Sequence, residues 1–304
     1  MCYGRNGEGI SDSRSGHERD RPGHRRHGLR GDLTRDEGWD AAMAGVDYVL
    51  HVASPLGDTP DLIGPARDGT LRVLRAATGA GVKRVVVTSA ANAASPSSYA
   101  EEGVTDETLW TDPADPSLPA YRRSKTLAER AAWDFMATSA GATTLTTILP
   151  GAVFGPLLST ENLGSVQIVQ RMLTGRMPGT PRIGLEIVDV RDLAALHVDA
   201  MTAPAAAGER FLATGEFTWM REMAADLRAG LGPAANRVPT RRLPDFVVRF
   251  GARFDASLRS ITMSLGRRNR HTTGKALRVL GWHPRPAAGT VVDCARSLIV
   301  WQLV

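Results

Sequence analysis

Asp47-Tyr48-Val49-Leu50-His51-Val52-Ala53 opens, and Val82-Lys83-Arg84-Val85-Val86-Val87-Thr88-Ser89 closes, a unit whose order is strand, helix, strand. Both ends are short apolar runs rich in β-branched residues, the composition of strands covered on two faces. Ser54-Pro55 stops the first. Between them, residues 61–78 carry Leu62, Ala66, Thr70, Val73, Leu74 and Ala77 on one helical stripe, with Gly79 or Gly81 available to end the helix. This order predicts parallel strands joined by a right-handed crossover, with ligands binding beyond the carboxyl ends of the strands.

The same alternation extends in both directions. Residues 29–33 read as a short strand and 36–44 as a helix. On the other side, Tyr121-Arg122-Arg123-Ser124-Lys125-Thr126-Leu127-Ala128-Glu129-Arg130 begins an alanine-rich helix, and residues 143–149 form another buried strand stopped by Pro150-Gly151. Farther on, the pattern gives a helix at 166–173, a strand at 185–190 that returns to the main sheet, a helix through 201 and a short strand at 210–213. Residues 243–265 place Phe246, Val247, Phe250, Phe254, Leu258 and Ile261 at mostly helical spacing with arginines between them. That stripe is expected to pack on the core rather than lie on a membrane.

Within the helix that starts near Tyr121, a tyrosine and a lysine stand four residues apart and project from one face. A lysine ammonium beside a phenol stabilises the phenolate and lowers its pKa from about 10, so that the hydroxyl can exchange a proton near neutrality. Tyr121 and Lys125 are therefore candidate catalytic residues, although the same spacing occurs on many solvated helices.

Composition narrows the function classes. A chain of 304 residues with 42% hydrophobic and 23% charged residues suits one large or two modest globular domains. No apolar run approaches the roughly 20 residues needed to cross a bilayer. Cys2 and Cys294 offer neither a disulfide framework nor metal spacing, which fits a reducing cytoplasm. The net charge of +5 is spread among acids and reads as solvated surface, with no nucleic-acid partner. Residues 1–27, with few aliphatic residues and many Arg, Gly and His, read as a disordered basic tail; Glu8, Asp12, Glu18 and Asp20 argue against a transit peptide.

Beyond these patterns, the chain resembles the extended short-chain dehydrogenase/reductases of the NAD-dependent epimerase/dehydratase family, most closely their dihydroflavonol reductase-like and cinnamoyl-CoA reductase-like branch. The resemblance runs from Gly31 to Trp301. It rests on Gly31-Asp32-Leu33-Thr34, Leu50-His51-Val52-Ala53-Ser54-Pro55, Gly69-Thr70, Arg84-Val85-Val86-Val87-Thr88-Ser89 and the Tyr121 to Trp133 helix. Further along it includes Leu149-Pro150-Gly151-Ala152-Val153-Phe154-Gly155-Pro156, Val188-Asp189-Val190-Arg191-Asp192-Leu193 and Leu280-Gly281-Trp282-His283-Pro284-Arg285-Pro286.

The resemblance implies an α/β, Rossmann-like, doubly wound parallel sheet, N-terminally incomplete, over residues 28–156. Residues 157–304 would mainly bind substrate, with 185–201 returning to the core. It implies an NADP or NAD cofactor, NADP being favoured by the resemblance alone, and a small-molecule carbonyl substrate: an aldehyde, a ketone or a dihydroflavonol-like compound. Asp32 and Leu33 would contact the adenine end of the cofactor, and Val52, Ala53 and Ser54 its pyrophosphate and ribose. Tyr121 would be the general acid/base, Lys125 would hold the nicotinamide ribose and depress the tyrosine pKa, and Pro150 and Val153 would pack at the nicotinamide. A homodimer stays open, as do two other readings: an inactive or cofactor-poor relative, and a nucleotide-sugar epimerase.

Two departures bear on activity. The family's opening strand and G-x-x-G-x-x-G turn have no counterpart, since Gly4, Gly7 and Gly9 neither follow an apolar strand nor precede an apolar helix. The expectation is that this reading frame starts inside, or shifted from, a longer ancestral one. The family's carbonyl-polarising serine falls at Ala90, leaving the adjacent Ser89, or Asn92, as the substitute donor. Among the remaining polar residues, His51 reads as a packed strand histidine. Asp189, Arg191 and Asp192 read as a hydrogen-bonded junction between domains, and Arg267, Arg268 and Arg270 as a solvated basic turn.

Overall fold

The computed structural model describes residues 2–4, 9–10, 31–55, 61–96, 102–160 and 163–304. In chain order the strands and helices are β1 (Cys2–Gly4), β2 (Gly9–Ile10), α1 (Trp39–Met43), β3 (Val46–His51), α2 (Ile63–Gly79), β4 (Arg84–Thr88), β5 (Gly103–Thr105) and α3 (Ala120–Thr138). There follow β6 (Thr144–Pro150), β7 (Ala152–Phe154), α4 (Val166–Leu173), β8 (Gly184–Asp189), α5 (Val190–Thr202), β9 (Arg210–Ala213), β10 (Glu216–Trp219) and α6 (Met220–Leu231). The C-terminal elements are α7 (Asp245–Gly251), α8 (Ala256–Ile261), β11 (Asn269–His271), α9 (Gly274–Leu280) and α10 (Ala287–Val300). The chain divides into two compact units.

The first unit comprises Met1–Ser89, Ala120–Ile148 and His197–Arg210. Its sheet runs in the order β2-β1-β3-β4-β6-β9, and β3, β4 and β6 are parallel neighbours, as the β-branched runs of the sequence predict. Leu74 and Ala77 of α2, Val85 of β4 and Ala132 of α3 are sealed from solvent in one apolar cluster, and full burial of such aliphatic side chains contributes about 1.5–3 kcal/mol each for those of valine or leucine size. A close approach explains Gly69 on α2: a Cβ there would stand 2.8 Å from the Cβ of Leu33. Arg72 holds the same loop by donating to the Leu33 carbonyl at 2.8 Å and pairing with Asp36.

The second unit comprises Ala90–Pro119, Leu149–Leu196 and Phe211–Val304. A separate sheet, ordered β10-β8-β7, places β8 between a parallel neighbour, β7, and an antiparallel one, β10. Gly151 and Gly215 permit this pairing, because a Cβ on either would collide with a backbone carbonyl oxygen of β8, at 2.3 Å from Glu186 and 1.8 Å from Ile187 respectively. The unit's main core gathers Phe154, Val169, Met172, Ile187, Met223, Leu227 and the buried face of α10. In that face lies the Cys294 thiol, whose pKa burial pushes up to about 11.

Several elements differ from the sequence reading. Of the strand expected at 29–33, residues 29–30 lie outside the described residues, and 31–33 form no strand but lead into a turn at Leu33-Thr34. The stretch that the pattern returns to the main sheet is instead the central strand of the smaller sheet, since β8 finds its partners in β7 and β10. The amphipathic helix over 243–265 breaks into α7, α8 and a 3-10 turn at Thr262–Ser264. Its phenylalanines do not pack on the core: Phe246, Phe250 and Phe254 are 73%, 61% and 79% exposed. Residues 1–27 carry β1 and β2 where the composition gives no strand, and the rest of that tail lies outside the described residues. β1 runs antiparallel to β3.

Candidate active site

Parallel β3 and β4 deliver their final residues to the same end of the sheet, and α3 lays a row of side chains beside them. Ala53 and Ser54 beyond β3, Thr88 and Ser89 at the end of β4, and Lys125 and Glu129 from α3 line a small cavity there. Tyr121, Lys125 and Glu129 recur every fourth residue, so they share one side of α3.

Lys125 is 7% exposed, and its ammonium donates to the Thr88 carbonyl at 2.7 Å. An ammonium has three donors, so two N–H bonds remain for an acceptor that no described residue supplies. Burial lowers its pKa from 10.5 to about 8, against the opposing pull of Glu129, and it is still mostly charged at neutral pH. The Tyr121 phenol has no hydrogen-bond partner among the described residues. Burial pushes its pKa above the ordinary value even though the residue keeps 37% of its surface. The sequence reading has Lys125 lowering this pKa. In the structure the ammonium is turned to the Thr88 carbonyl instead, and the phenol is left with the burial effect alone.

Ser89 also departs from the role read from sequence. Its hydroxyl donates to Glu129 at 2.6 Å and is buried, so the structure places it in a packed network rather than with a hydrogen free for a substrate carbonyl. Glu129, for which the sequence reading assigned no role, is the centre of that network. Its carboxylate also accepts from Thr147 at 2.8 Å and from the Arg210 guanidinium at 2.8 Å, with its side chain fully enclosed. The available signal was its position, one helical turn past Lys125. Ala90 is buried and opens the 3-10 turn Ala91–Ala94 with a methyl group only.

The other named residues have definite places. His51 is a buried strand histidine bonded to Thr70 at 3.1 Å; burial, then the Lys125 charge, drop its pKa to about 3 and keep it neutral. Val52 is 54% exposed at the end of β3. Asp32 folds back to accept from the backbone N–H and hydroxyl of Thr34 at 2.9 and 2.7 Å, while Leu33 packs against Gly69. Pro150 and Val153 belong to the second unit, where Val153 pairs with Val188 in β8.

Asp189, Arg191 and Asp192 form a junction, but one inside the second unit. Asp189 accepts two side-chain bonds from Arg191 and one from Thr290, Arg191 reaches Asp293, and Asp192 holds Arg285. Burial works to raise the Asp189 pKa, yet the Arg191 bonds outweigh it and hold the carboxyl below its ordinary range. In the same unit His271 pairs with Glu186 through one ring nitrogen and meets Ser95 through the other at 2.8 Å. No group of His, Cys, Asp and Glu side chains arranged to hold a metal occurs among the described residues.

The model of the NAD dependent epimerase/dehydratase family matches residues 8–213. The chain belongs to that family. It is 33% identical over 216 residues to an anthocyanidin reductase ((2S)-flavan-3-ol-forming) of Vitis vinifera, covering 64% of this chain and 63% of that one. It is 37% identical over 188 residues to cinnamoyl-CoA reductase 1 of Arabidopsis thaliana, covering 60% and 54%. The chain thus spans less than two thirds of the length of these relatives. In fold it is similar to yeast methylglyoxal/isovaleraldehyde reductase Gre2, solved with NADPH: TM-score 0.73, 22% identity, 90% of this chain and 84% of that one.

The family's dinucleotide can be tested against the residues present. Those at the ends of β3 and β4 fit its nicotinamide-ribose end, because a buried ammonium with two open donors asks for hydroxyl or phosphate oxygens. The opposite end fits less well. A pyrophosphate is ordinarily received by a glycine turn between a parallel strand and a helix N-terminus, whereas β1 is antiparallel to β3 and its described neighbour is another strand, β2.

Proposed function

We propose that this chain reduces a small-molecule carbonyl, an aldehyde, a ketone or a dihydroflavonol-like compound, by hydride transfer from NADPH or NADH. The observation that carries the reading is Lys125: a buried ammonium at the carboxyl ends of two parallel strands, one helical turn beyond Tyr121, with two hydrogen-bond donors open. The names of the relatives, an anthocyanidin reductase and a cinnamoyl-CoA reductase, support it.

When bound, the nicotinamide supplies the hydride. Tyr121 delivers the proton to the substrate oxygen. Lys125 would hold the ribose hydroxyls with its two open donors, and positive charge near the phenol would offset the burial that weakens it as an acid. With Ala90 unable to donate and Ser89 committed to Glu129, no serine joins Tyr121 in polarising the carbonyl and Asn92 is the remaining substitute; a missing donor would cost about two to three orders of magnitude in rate.

Purified protein titrated with NADPH and NADH tests this by thermal shift and by nicotinamide fluorescence. Binding followed by carbonyl reduction is expected, with Tyr121→Phe abolishing reduction and retaining the cofactor. No response to either nucleotide at millimolar concentration would overturn the reading. It would favour the second one, a cofactor-poor relative, which the antiparallel β1 supports.

A further inference from the structure

Within the second unit, exposed phenylalanines and a dense set of arginines share one segment. Residues 237–270 hold nine arginines against two aspartates and no other charged residue, in a chain whose net charge is only +5. The rest of the molecule is therefore slightly acidic, and its basic character is concentrated here. Inside this segment α7 turns Val248 inward, fully buried, together with Ala252 just beyond its end. The other side carries Phe246, Val247 and Phe250, and Phe254 follows with its ring edge-on to Phe250, the centroids 5.5 Å apart. All four are exposed, and Arg249 and Arg253 are exposed between them.

Scattered surface phenylalanines need no explanation, but Phe246 and Phe250 on α7 and Phe254 just after it, with the last two rings in contact, expose three large aromatics within nine residues. A purely electrostatic partner would not call for them, and a purely apolar one would not call for the arginines. Aromatic rings flanked by guanidinium groups match the chemistry of a bilayer interface with anionic headgroups: the rings enter the headgroup–acyl boundary and the arginines pair with phosphates above it. A cleft of about 820 Å³ adjoins the start of α7, its charged lining made of Arg182, Arg221, Arg242, Glu222 and Asp245, with Arg182 paired to Asp245. Among the described residues no helix is long and apolar enough to cross a membrane, so the contact is peripheral.

We propose that α7 and Phe254 dock this protein reversibly on an anionic lipid surface, with Phe246, Phe250 and Phe254 inserting and Arg249 and Arg253 contacting headgroup phosphates. The proposal is independent of whether the chain is a reductase. For an enzyme of apolar carbonyl compounds, it would bring the protein to where such compounds partition.

Co-sedimentation of the full chain with vesicles tests it, using phosphatidylcholine alone and phosphatidylcholine mixed with phosphatidylglycerol. Pelleting with the anionic vesicles only, weakening as salt rises, is the expected result. Arg249→Gln and Arg253→Gln should each weaken partitioning about fivefold. The combined Phe246→Ser, Phe250→Ser and Phe254→Ser variant should lose at least tenfold, by roughly the burial value of such rings, while its far-ultraviolet circular dichroism and melting temperature match the parent. These exposed positions tolerate serine, which separates lost docking from lost folding. The proposal is overturned if the anionic vesicles pellet no protein, or if the phenylalanine variant pellets as the parent does. It is equally overturned if the phenylalanines prove to join two copies, a dimer that the serine variant dissociates with no vesicle binding by either, or if retention on duplex DNA exceeds that on vesicles and is indifferent to the phenylalanines.

Discussion

Replacing Glu129 with glutamine would remove one charge from the enclosed network beneath the candidate active site and leave its shape nearly intact. The carboxylate accepts from Ser89, Thr147 and Arg210 at 2.6–2.8 Å, and the Arg210 side chain is only 9% exposed. Glutamine keeps one acceptor oxygen but presents an NH₂ group where a donor already points, and it removes the carboxylate charge facing the Arg210 guanidinium. Breaking a buried pair by removing one partner costs about 3–5 kcal/mol, a large share of the roughly 5–15 kcal/mol that holds a folded protein. Urea denaturation followed by circular dichroism at pH 7 measures this for the parent, Glu129→Gln, Arg210→Met and the double variant. The double variant should be less destabilised than the sum of the singles by about 2 kcal/mol, since the methionine removes the stranded charge. A second readout is local. Glu129 is the group that opposes burial at Lys125, so the variant should push the lysine below its present value of about 8. A loss of less than about 1 kcal/mol with additive singles would refute the reasoning, because it would mean that the pair is solvated and Glu129 is an ordinary helix-surface acid.

Because the folded-state pKa of Lys125 is lowered, the unfolded chain binds the extra proton between about pH 8 and 10.5. The lysine's contribution to stability therefore improves as pH rises through that window, and the stability advantage of Lys125→Met over the parent at pH 7 should shrink by pH 10 in urea melts. His51, with its pKa lowered to about 3, has the matching effect at acid pH: stability is lost as pH falls below about 6.5, and His51→Asn should flatten that slope. Gly215→Ala would drive a methyl to 1.8 Å from the Ile187 carbonyl oxygen and split β10 from β8, so the variant should lose more than about 3 kcal/mol or fail to accumulate as folded protein.

Local pattern and long-range partnership account for what the sequence revealed and withheld. The β3, α2, β4 succession is legible because each element declares itself within a few residues: β-branched runs for strands, a stripe at 3.6-residue spacing for the helix between. The placement of Tyr121 and Lys125 on one helical face is legible for the same reason. Whether β8 joins the large sheet or a small one depends on partners distant in the chain, and its apolar composition suits either. Glu129 was passed over because an acid on an alanine-rich helix ordinarily faces water. Its burial depends on Arg210, which lies far along the chain and arrives at the start of β9. The phenylalanines of α7 misled in the opposite sense, since periodicity reports that a helix has an apolar side and not what covers that side.

The two ends of the candidate cofactor site have unequal physical support, and that difference directs where function should be sought. At the ends of β3 and β4 the requirements are met by residues that can be named: a buried lysine with open donors, a neutral histidine behind it, and a carboxylate that keeps the ammonium charged despite burial. Toward the other side of the sheet β1, lying between β2 and β3, meets β3 antiparallel, and an antiparallel neighbour needs no crossover helix. Among the described residues no helix follows β1 directly, so none of them offers N-terminal amides to a pyrophosphate there. If binding is nonetheless tight, the affinity must come from the nicotinamide half, and nicotinamide mononucleotide should then bind nearly as well as the whole dinucleotide. If the mononucleotide binds and the dinucleotide gains another hundredfold or more, a phosphate cradle exists that the described residues do not supply, and the adenine end should be traced by cross-linking. Comparing the two ligands on one protein preparation separates the alternatives without requiring turnover or knowledge of the substrate.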